Sequence, residues 1–454
     1  MKKALFSSIV ALVAVAALVA VAVVRSRRQP PRVDRVVLLG FDGASPNLLE
    51  PLVAQGKLPA IRRLMEAGSY GHLRSFQPAK SAVLWTSVAT GKTMLKHGIV
   101  DWTYVNEKGL TVPYQDEGRR VKAYWEILGE HGVKTGTLNW WVSHPPRPVP
   151  NGYVVSDFFR RRSRPDTVHP PRLFDWLDAL RLKPEGVPAE MERRGIPEWR
   201  EEELTVPLER DELTLYSYAL FFAQDITIDR VSDFLWQQHP VQVFSTYFRL
   251  VDVTSHFAAH FVDRRVYDEV VPLAASGRAT AADLARLDLE MARVMAPTYQ
   301  FMDRIVAKYL ERMDEHTALI VCSDHGFRFL EGHYDHRGGT EAPDGVLFLA
   351  GPGVRKGGRI SGARLFDIAP TILHWMGRPV ARDMDGDVLP AALGGAPSAS
   401  VRRIATYETG DRARGASSAD PAVSEQALED LRALGYIQGP AGDSPRPSPT
   451  PGRR

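Results

Sequence analysis

Short, largely apolar runs recur along the chain, and stretches of helical spacing fall between them. Val36–Phe41, residues 132–139, residues 241–251, residues 317–323 and Val346–Ala350 are such runs. Apolar runs of strand length, separated by helices, bury both faces of a sheet and need crossover connections. The pattern therefore predicts an α/β fold: three layers, α/β/α, around a mainly parallel central sheet. Residues 57–68 read as one of the helices, ended by Gly68. Residues 160–235, rich in Arg, Glu, Pro and Trp, break the rhythm and read as a mostly helical insertion over the site, or else as a thickening of the outer helix layer. No internal repeat is visible.

Two compositional facts narrow the function. Lys and Arg number 57 against 54 Asp and Glu, a formal net charge of +3, which gives no evident footprint for nucleic acid. The single cysteine, Cys322, excludes an intramolecular disulfide framework and any zinc site built from several thiolates; it sits inside a strand pattern and is assigned no role.

The ends of the chain differ from its body. Ala4–Val24 is a run of 21 apolar or small residues without charge. At ~1.5 Å per residue it spans roughly 31 Å, the thickness of a bilayer core. It reads as an uncleaved anchor (residues 1–28), with a cleaved signal ending near Ala20-Val21-Ala22 as the alternative. A linker at 29–34, a catalytic domain at 35–437 carrying an insertion at about 104–235, and a disordered Pro/Gly/Ser tail at 438–454 complete the expected organisation. Leu428, Leu431 and Leu434 have helical spacing and predict a short terminal helix. The flanking charges, Lys2 and Lys3 against Arg25, Arg27 and Arg28, slightly favour a cytoplasmic body.

Ligands of an open parallel sheet bind outside the carboxyl ends of its strands. Three acids fall there by pattern: Asp42 after the first run, Asp252 after YFRLV, and Asp324 after ALIVCS. Asp252 and His256 at i, i+4 share one face of any helix that starts there. Asp324-His325 can present both side chains from one turn, and EGHYDHRGG adds His333, Asp335 and His336. Carboxylate and imidazole together suit Zn2+ or a similar divalent ion. His260, four residues past His256, has the same spacing and shows how readily it arises. In PAKSAVLWTSVATGK, Ser81 opens a helical pattern, either as a simple N-cap or as a hydroxyl held in positive backbone potential.

Taken together, these residues resemble the alkaline phosphatase superfamily, in its type I phosphodiesterase/nucleotide pyrophosphatase branch. The order matches: Asp42, the Ser81 nucleophile, Asp252-x-x-x-His256, Asp324-His325-Gly326, then a later histidine. LLGFDGASP, LPAIRRLMEAGSYG, LWTSVATGK, KHGIVDW and DIAPTILHWMG fit around them, from about residue 34 to 437. The resemblance implies an alkaline phosphatase-like fold, a metal-dependent hydrolase of phosphate esters and a phosphoryl-serine intermediate. It implies two divalent ions, Zn2+ first with Mn2+ as the alternative. One would be held by Asp252, His256 and His336, the other by Asp42, Asp324, His325 and the Ser81 oxygen; His333 is the runner-up to His336. It also favours a membrane-anchored, extracytoplasmic (periplasmic) catalytic domain, whose partners are a phosphate ester and, through the anchor, a lipid bilayer.

The departures bear on the substrate. Nucleotide pyrophosphatases carry Asn shortly after His-Gly-Ile, where this chain has Trp102; Asp101 or another group would take its role, or the substrate is not a nucleotide diester. No Arg stands near Ser81 in sequence, though Lys80 and Lys92 do, which favours a diester over a monoester. Ser81-Ala82-Val83-Leu84-Trp85 lacks the Pro and Arg of the sulfatase signature. Phosphomonoesterase, headgroup transferase and non-catalytic relic remain the alternatives. Trp85, Trp102, Trp140 and Trp141 read as core filling rather than a base-stacking set.

Overall fold

The computed structural model describes residues 32–161, 163–197, 215–256, 258–330, 333–337, 340–395, 400–409 and Leu428. The expected anchor, the C-terminal tail and most of the terminal helix lie outside them, as does Phe257. No helix among the described residues is long and apolar enough to cross a membrane.

Nine strands form the central sheet: β1 (Arg35–Phe41), β2 (Ser69–Leu73), β3 (Thr135–Leu138), β4 (Tyr153–Val155), β5 (Val168–His169), β6 (Val243–Phe248), β7 (Thr317–Cys322), β8 (Gly345–Ala350) and β9 (Gly358–Ile360). Their spatial order is β9-β2-β8-β7-β1-β6-β3-β4-β5. The middle is parallel: β1 pairs with β6 and β7, and β3 with β6 and β4. Antiparallel pairings involve β8, between β2 and β7, and the edge strand β5. The mainly parallel α/β sheet is thus as expected, with an antiparallel interruption on one side.

Adjacent residues of a strand point to opposite faces, so neighbouring side chains reveal both helical layers. Phe41 stacks on Phe248 at 5.3 Å, and Phe248 meets Phe301 of the helix Ala281–Arg312. Gly40 instead faces Trp85, in the helix Ser81–Thr90. On β6, Phe244 packs on Tyr309, while Ser245 Oγ accepts from Tyr124 Oη. We number the helices used below α1 (Ser81–Thr90), α2 (Leu215–Gln238), α3 (Leu250–Ser255) and α4 (Ala281–Arg312). α4 begins with a capping box: Asp283 N donates to Thr280 Oγ1 and Thr280 N to Asp283 Oδ2. All ten residues of α1 are buried, and its end is set by Gly91 at a φ of 67°.

Three sequence expectations change. The run at 241–251 is not one strand: β6 stops at Phe248, and Asp252 stands inside α3, not at a strand end. A strand-like LV pair can continue into a helix, because two apolar residues fit either period. The span 104–235 is no separate insertion, since β3, β4 and β5 come from it. Its last part is α2, whose Ile226, Val231 and Leu235 are buried and which leads directly into β6. The outer-layer reading therefore holds for α2; between β5 and α2 the described residues carry short helices, the longest being Val187–Arg194.

Trp85 is fully buried and meets Trp140 and Tyr247 edge to face at 5.1 and 5.0 Å. A Cβ on Gly40 would lie 2.7 Å from the Trp85 ring, which has no free direction to retreat. Gly40→Ala is expected to lower unfolding stability by about 1–3 kcal/mol, the usual cost of overpacking. Chemical denaturation of the full chain reads that loss.

Candidate metal centre

The parallel middle strands all end on one edge of the sheet, and the expected ligands gather there. Asp42 follows β1 directly and its N–H donates to Phe248 O at 2.9 Å, so the chain is still tied to β6 as the carboxylate turns inward. Asp324 and His325 follow β7 by two and three residues. α3 presents Asp252 and ends at His256, whose N–H donates back to Asp252 O. His336 comes from the far end of a hairpin, Arg328–Leu330 with His333–Asp335.

His325 Nε2 lies 3.1 Å from Asp42 Oδ1, 3.6 Å from Asp324 Oδ2 and 3.7 Å from Asp252 Oδ1. His256 Nε2 and His336 Nε2 lie 3.4 and 3.5 Å from Asp252 Oδ1. Two groups of potential ligand atoms result: Asp252, His256 and His336, and Asp42, Asp252 and His325. The first is the set the sequence suggested. In the second, Asp252 stands where Asp324 was expected, so Asp252 lies between the two groups. His336 belongs to the first group.

The imidazole protons can be placed by their other partners. His325 Nδ1 lies 3.0 Å from Gly326 O and His336 Nδ1 lies 2.9 Å from Ala79 O. A carbonyl only accepts, so in each neutral ring Nδ1 is the donor and the Nε2 lone pair faces the carboxylates. That orientation is how ligating histidines are held. Tyr247 Oη donates to Asp42 Oδ2 and accepts from Trp141 Nε1 at 2.7 Å. Ser323 Oγ takes an N–H from Ala44 at 2.8 Å and donates to His325 O.

Electrostatics shows what the cluster lacks. Burial and the charge of Asp42 push Asp324 well above the usual carboxylate range. Burial alone would lower His325, yet Asp324, Asp42 and Asp252 overcome it and hold the imidazole up at about 10. Burial also pushes Asp42 up, but His325 and Tyr247 bring it below its usual value. His336 is driven far down by burial and by the neighbouring His325 and His256. Like charges this close share protons unless a cation replaces them. Ser81 Oγ and Asp324 Oδ2 are buried without a hydrogen-bond partner. Carboxylate oxygens, inward lone pairs and these orphaned oxygens fit hard-to-borderline divalent cations.

Ser81 is the first residue of α1, after Lys80 as N-cap, and is fully buried. Lys80 pairs with Asp101 and its Nζ stands 5.1 Å from the centre of the Trp102 ring. Asp101 Oδ1 also takes the Trp102 N–H at 2.6 Å, so Asp101 is occupied as an acceptor. Lys92 is buried between Asp383 and Glu408 and stands apart from this group. Sequence reasoning missed Tyr247 and the Ala79 carbonyl. A phenol within an otherwise buried strand was the one available signal, since such an O–H needs a partner.

A family model described as type I phosphodiesterase / nucleotide pyrophosphatase matches residues 36–338, two-thirds of the chain. The chain belongs to that family. Every expected ligand, from Asp42 to His336, falls inside the matched span. With this family come the alkaline phosphatase superfamily and the activity of a phosphoester hydrolase, metal-dependent as a class. Among solved structures, a 2-O GAG sulfatase is 11% identical, with 82% of this chain and 76% of that chain covered and a TM-score of 0.51, which shows a shared fold. A phosphonate monoester hydrolase from Silicibacter pomeroyi is 14% identical over 80% and 78% of the two chains, with a TM-score of 0.44. Murine ectonucleotide pyrophosphatase / phosphodiesterase 5 is 11% identical over 76% and 95%, with a TM-score of 0.41. No curated protein matches the chain.

His336→Ala is expected to lose one equivalent of bound divalent metal or weaken it about 10-fold or more. Tyr247→Phe should weaken metal binding by about 10–100-fold, as removal of such supporting bonds does. Metal content after dialysis and titration with a chromogenic chelator measure both.

Proposed function

We propose that the chain hydrolyses phosphodiesters through a phosphoryl-serine intermediate on Ser81, at a site holding two divalent cations, Zn2+ first. The observation that carries this reading is the buried convergence of Asp42, Asp252, Asp324, His256, His325 and His336 beside an unpartnered Ser81 Oγ. Asp252, His256 and His336 would hold one ion; Asp42, Asp324, His325 and Ser81 would hold the other, with the Asp252 carboxylate between them. Bound there, such ions lower the pKa of a serine hydroxyl and screen the negative charge of the transferred group.

The chain's own residues account for the rest. Ser81 Oγ, at the start of a ten-residue helix, lies in the positive end of its backbone field and gives up its proton to solvent as it attacks phosphorus. The new O–P bond forms as the bond to the leaving alcohol breaks, and the alkoxide takes a proton from water. Water then cleaves the phosphoryl-serine, restoring the hydroxyl and releasing a phosphomonoester. Lys80, one residue before the nucleophile, is the cation available to a phosphoryl oxygen where related enzymes use Asn. Asp101 cannot serve, because it is an acceptor already shared by Lys80 and Trp102. His325 and His336, fixed through their Nδ1 protons, hold their lone pairs inward throughout.

We also read residues 4–24 as a membrane anchor that holds the catalytic body on the extracytoplasmic side; the uniform apolarity of the run supports an anchor. Alkaline carbonate extraction of membranes from expressing cells should leave the full chain in the pellet.

Metal-loaded protein should cleave bis(p-nitrophenyl) phosphate faster than p-nitrophenyl phosphate, and a chelator should abolish both. Ser81→Ala is expected to lose at least about 10³-fold in kcat while its metal content changes little. Full turnover in that variant would refute the nucleophile, and a monoester preference would refute the diester reading.

A further inference from the structure

Asn139 closes β3 at a left-handed φ of 59° and so turns the chain at the same edge of the sheet as the metal centre. Its Nδ2 donates to Tyr247 O at 2.9 Å, and its Oδ1 accepts from Arg160 Nη1 at 2.7 Å. Arg160 is only 3% exposed, and its guanidinium lies over Trp141, 5.5 Å from the ring centre. Trp141 in turn donates to the phenol oxygen that bonds Asp42. One indole ring therefore separates Arg160 from the hydroxyl that holds a metal-site carboxylate.

The remaining edge of Arg160 is not satisfied. Its Nε and Nη2 are buried and have no hydrogen-bond partner among the described residues. Those two atoms form the side-on fork that takes an oxyanion bidentately. Buried guanidinium donors without a partner are unfavourable, and an oxyanion in the fork would satisfy both. Among the described residues, the neighbourhood does not supply one in full. Burial and the charges of Arg161 and Arg249 push Arg160 down to about 9, so the local field is positive. Among the described residues, the acids that face this group are Asp157 and Asp225. Asp157 shares hydrogen bonds with Ser143, and burial pushes Asp225 up to about 7. Among the described residues three guanidiniums thus face two carboxylates.

We propose that Arg160 anchors an anion subsite for a second acidic group on the substrate, an oxyanion carried by the part of the molecule that lies across Trp141 from the scissile ester. The subsite rests on the phosphodiesterase reading above, because the second group is defined relative to the ester at Ser81. Arg160 offers the fork, and Arg161 and Arg249 supply field. Asn139 fixes the guanidinium through Nη1, leaving the Nε/Nη2 edge for the ligand. The preferred substrate is then a diester with two negative charges: one at phosphorus and one at a terminal phosphate, sulfate or carboxylate.

The test compares kcat/KM of the metal-loaded full chain on bis(p-nitrophenyl) phosphate and on p-nitrophenyl phosphodiesters whose second alcohol ends in phosphate, sulfate or carboxylate. The wild type should favour at least one doubly anionic substrate, and which one identifies the oxyanion. Arg160→Met should lower that preference ratio at least about 10-fold, as loss of a charged hydrogen-bonded pair does. Arg160→Lys keeps the charge without the fork and should lower it about threefold or more, which preserves the test should the Met variant fail to fold. An unchanged ratio, or an equal loss on singly and doubly charged substrates, would overturn the subsite; the equal loss would mean that Arg160 acts only by holding Asn139 and Tyr247. The thermal shift produced by inorganic sulfate on the metal-loaded protein gives a readout without turnover. It should be larger in the wild type than in either variant. If no diester is cleaved but this difference persists, the phosphodiesterase reading fails and the anion site stands; if diesters are cleaved and the difference is absent, the subsite alone fails.

Discussion

Three carboxylates, Asp42, Asp252 and Asp324, meet in a dry interior around the imidazole of His325. That crowding is the constraint on which the rest of the molecule depends. Bringing like charges together out of water is unfavourable by several kcal/mol per ion, even after relaxation. A fold can sustain it only if the backbone leaves the side chains no alternative and something positive sits among them. Parallel strands do the first part: β1, β6 and β7 run side by side, so whatever follows them converges on one edge. Helices then lock the followers. α3 begins within two residues of β6, and Asp225 from α2 accepts its first N–H, from Leu250 at 2.8 Å.

The second requirement explains the arrangement behind the ligands. Tyr247, Trp141, Trp85 and Trp140 form a packed aromatic wall under the cluster, and its hydrogen bonds run toward the ligands. Trp140 Nε1 donates to Trp85 O at 3.0 Å, Trp141 Nε1 to Tyr247 Oη, and Tyr247 Oη to Asp42. The wall keeps water away on one side, which raises the strength of each charge interaction. It also fixes ring orientations, so the ligand atoms hold their positions without rearrangement. Gly40 belongs to the same device: only the absence of a Cβ lets Trp85 approach β1 so closely.

How much of this could be read beforehand follows from what each residue's signal depends on. Asp42, Asp324 and His325 were legible because each stands just after an apolar strand, and strand ends on one edge are a topological fact. Asp252 was legible with His256 through helical spacing, although the strand before it was drawn three residues too long. His336 came only from the order of family motifs, since a hairpin brings it in and hairpin pairing leaves no long-range signature. β8 was legible as a strand, though not its antiparallel direction; the short β4, β5 and β9 were not legible as sheet members, because two- or three-residue strands carry no period. Tyr247 and Arg160 were missed for a shared reason. Their importance lies in which atom they face, and a buried phenol or guanidinium looks the same in sequence whether its partner is a carbonyl, a metal ligand or a substrate.

The two charge patterns at this edge of the sheet then acquire a common logic. The candidate metal centre crowds three carboxylates together, and a ring away Arg160, Arg161 and Arg249 crowd three guanidiniums. If each were merely structural, evolution of stability alone would favour pairing them directly, because a carboxylate–guanidinium contact satisfies both at once. The fold instead interposes Trp141 and Tyr247 and keeps the charges apart. On the proposed reading, separation preserves two sites of opposite demand, one for cations and one for an oxyanion. A substrate with one oxyanion at Ser81 and a second in the guanidinium fork would answer both demands at once. Its binding energy would then come from groups on either side of the scissile bond, which is the geometry that holds an ester rigidly for in-line attack.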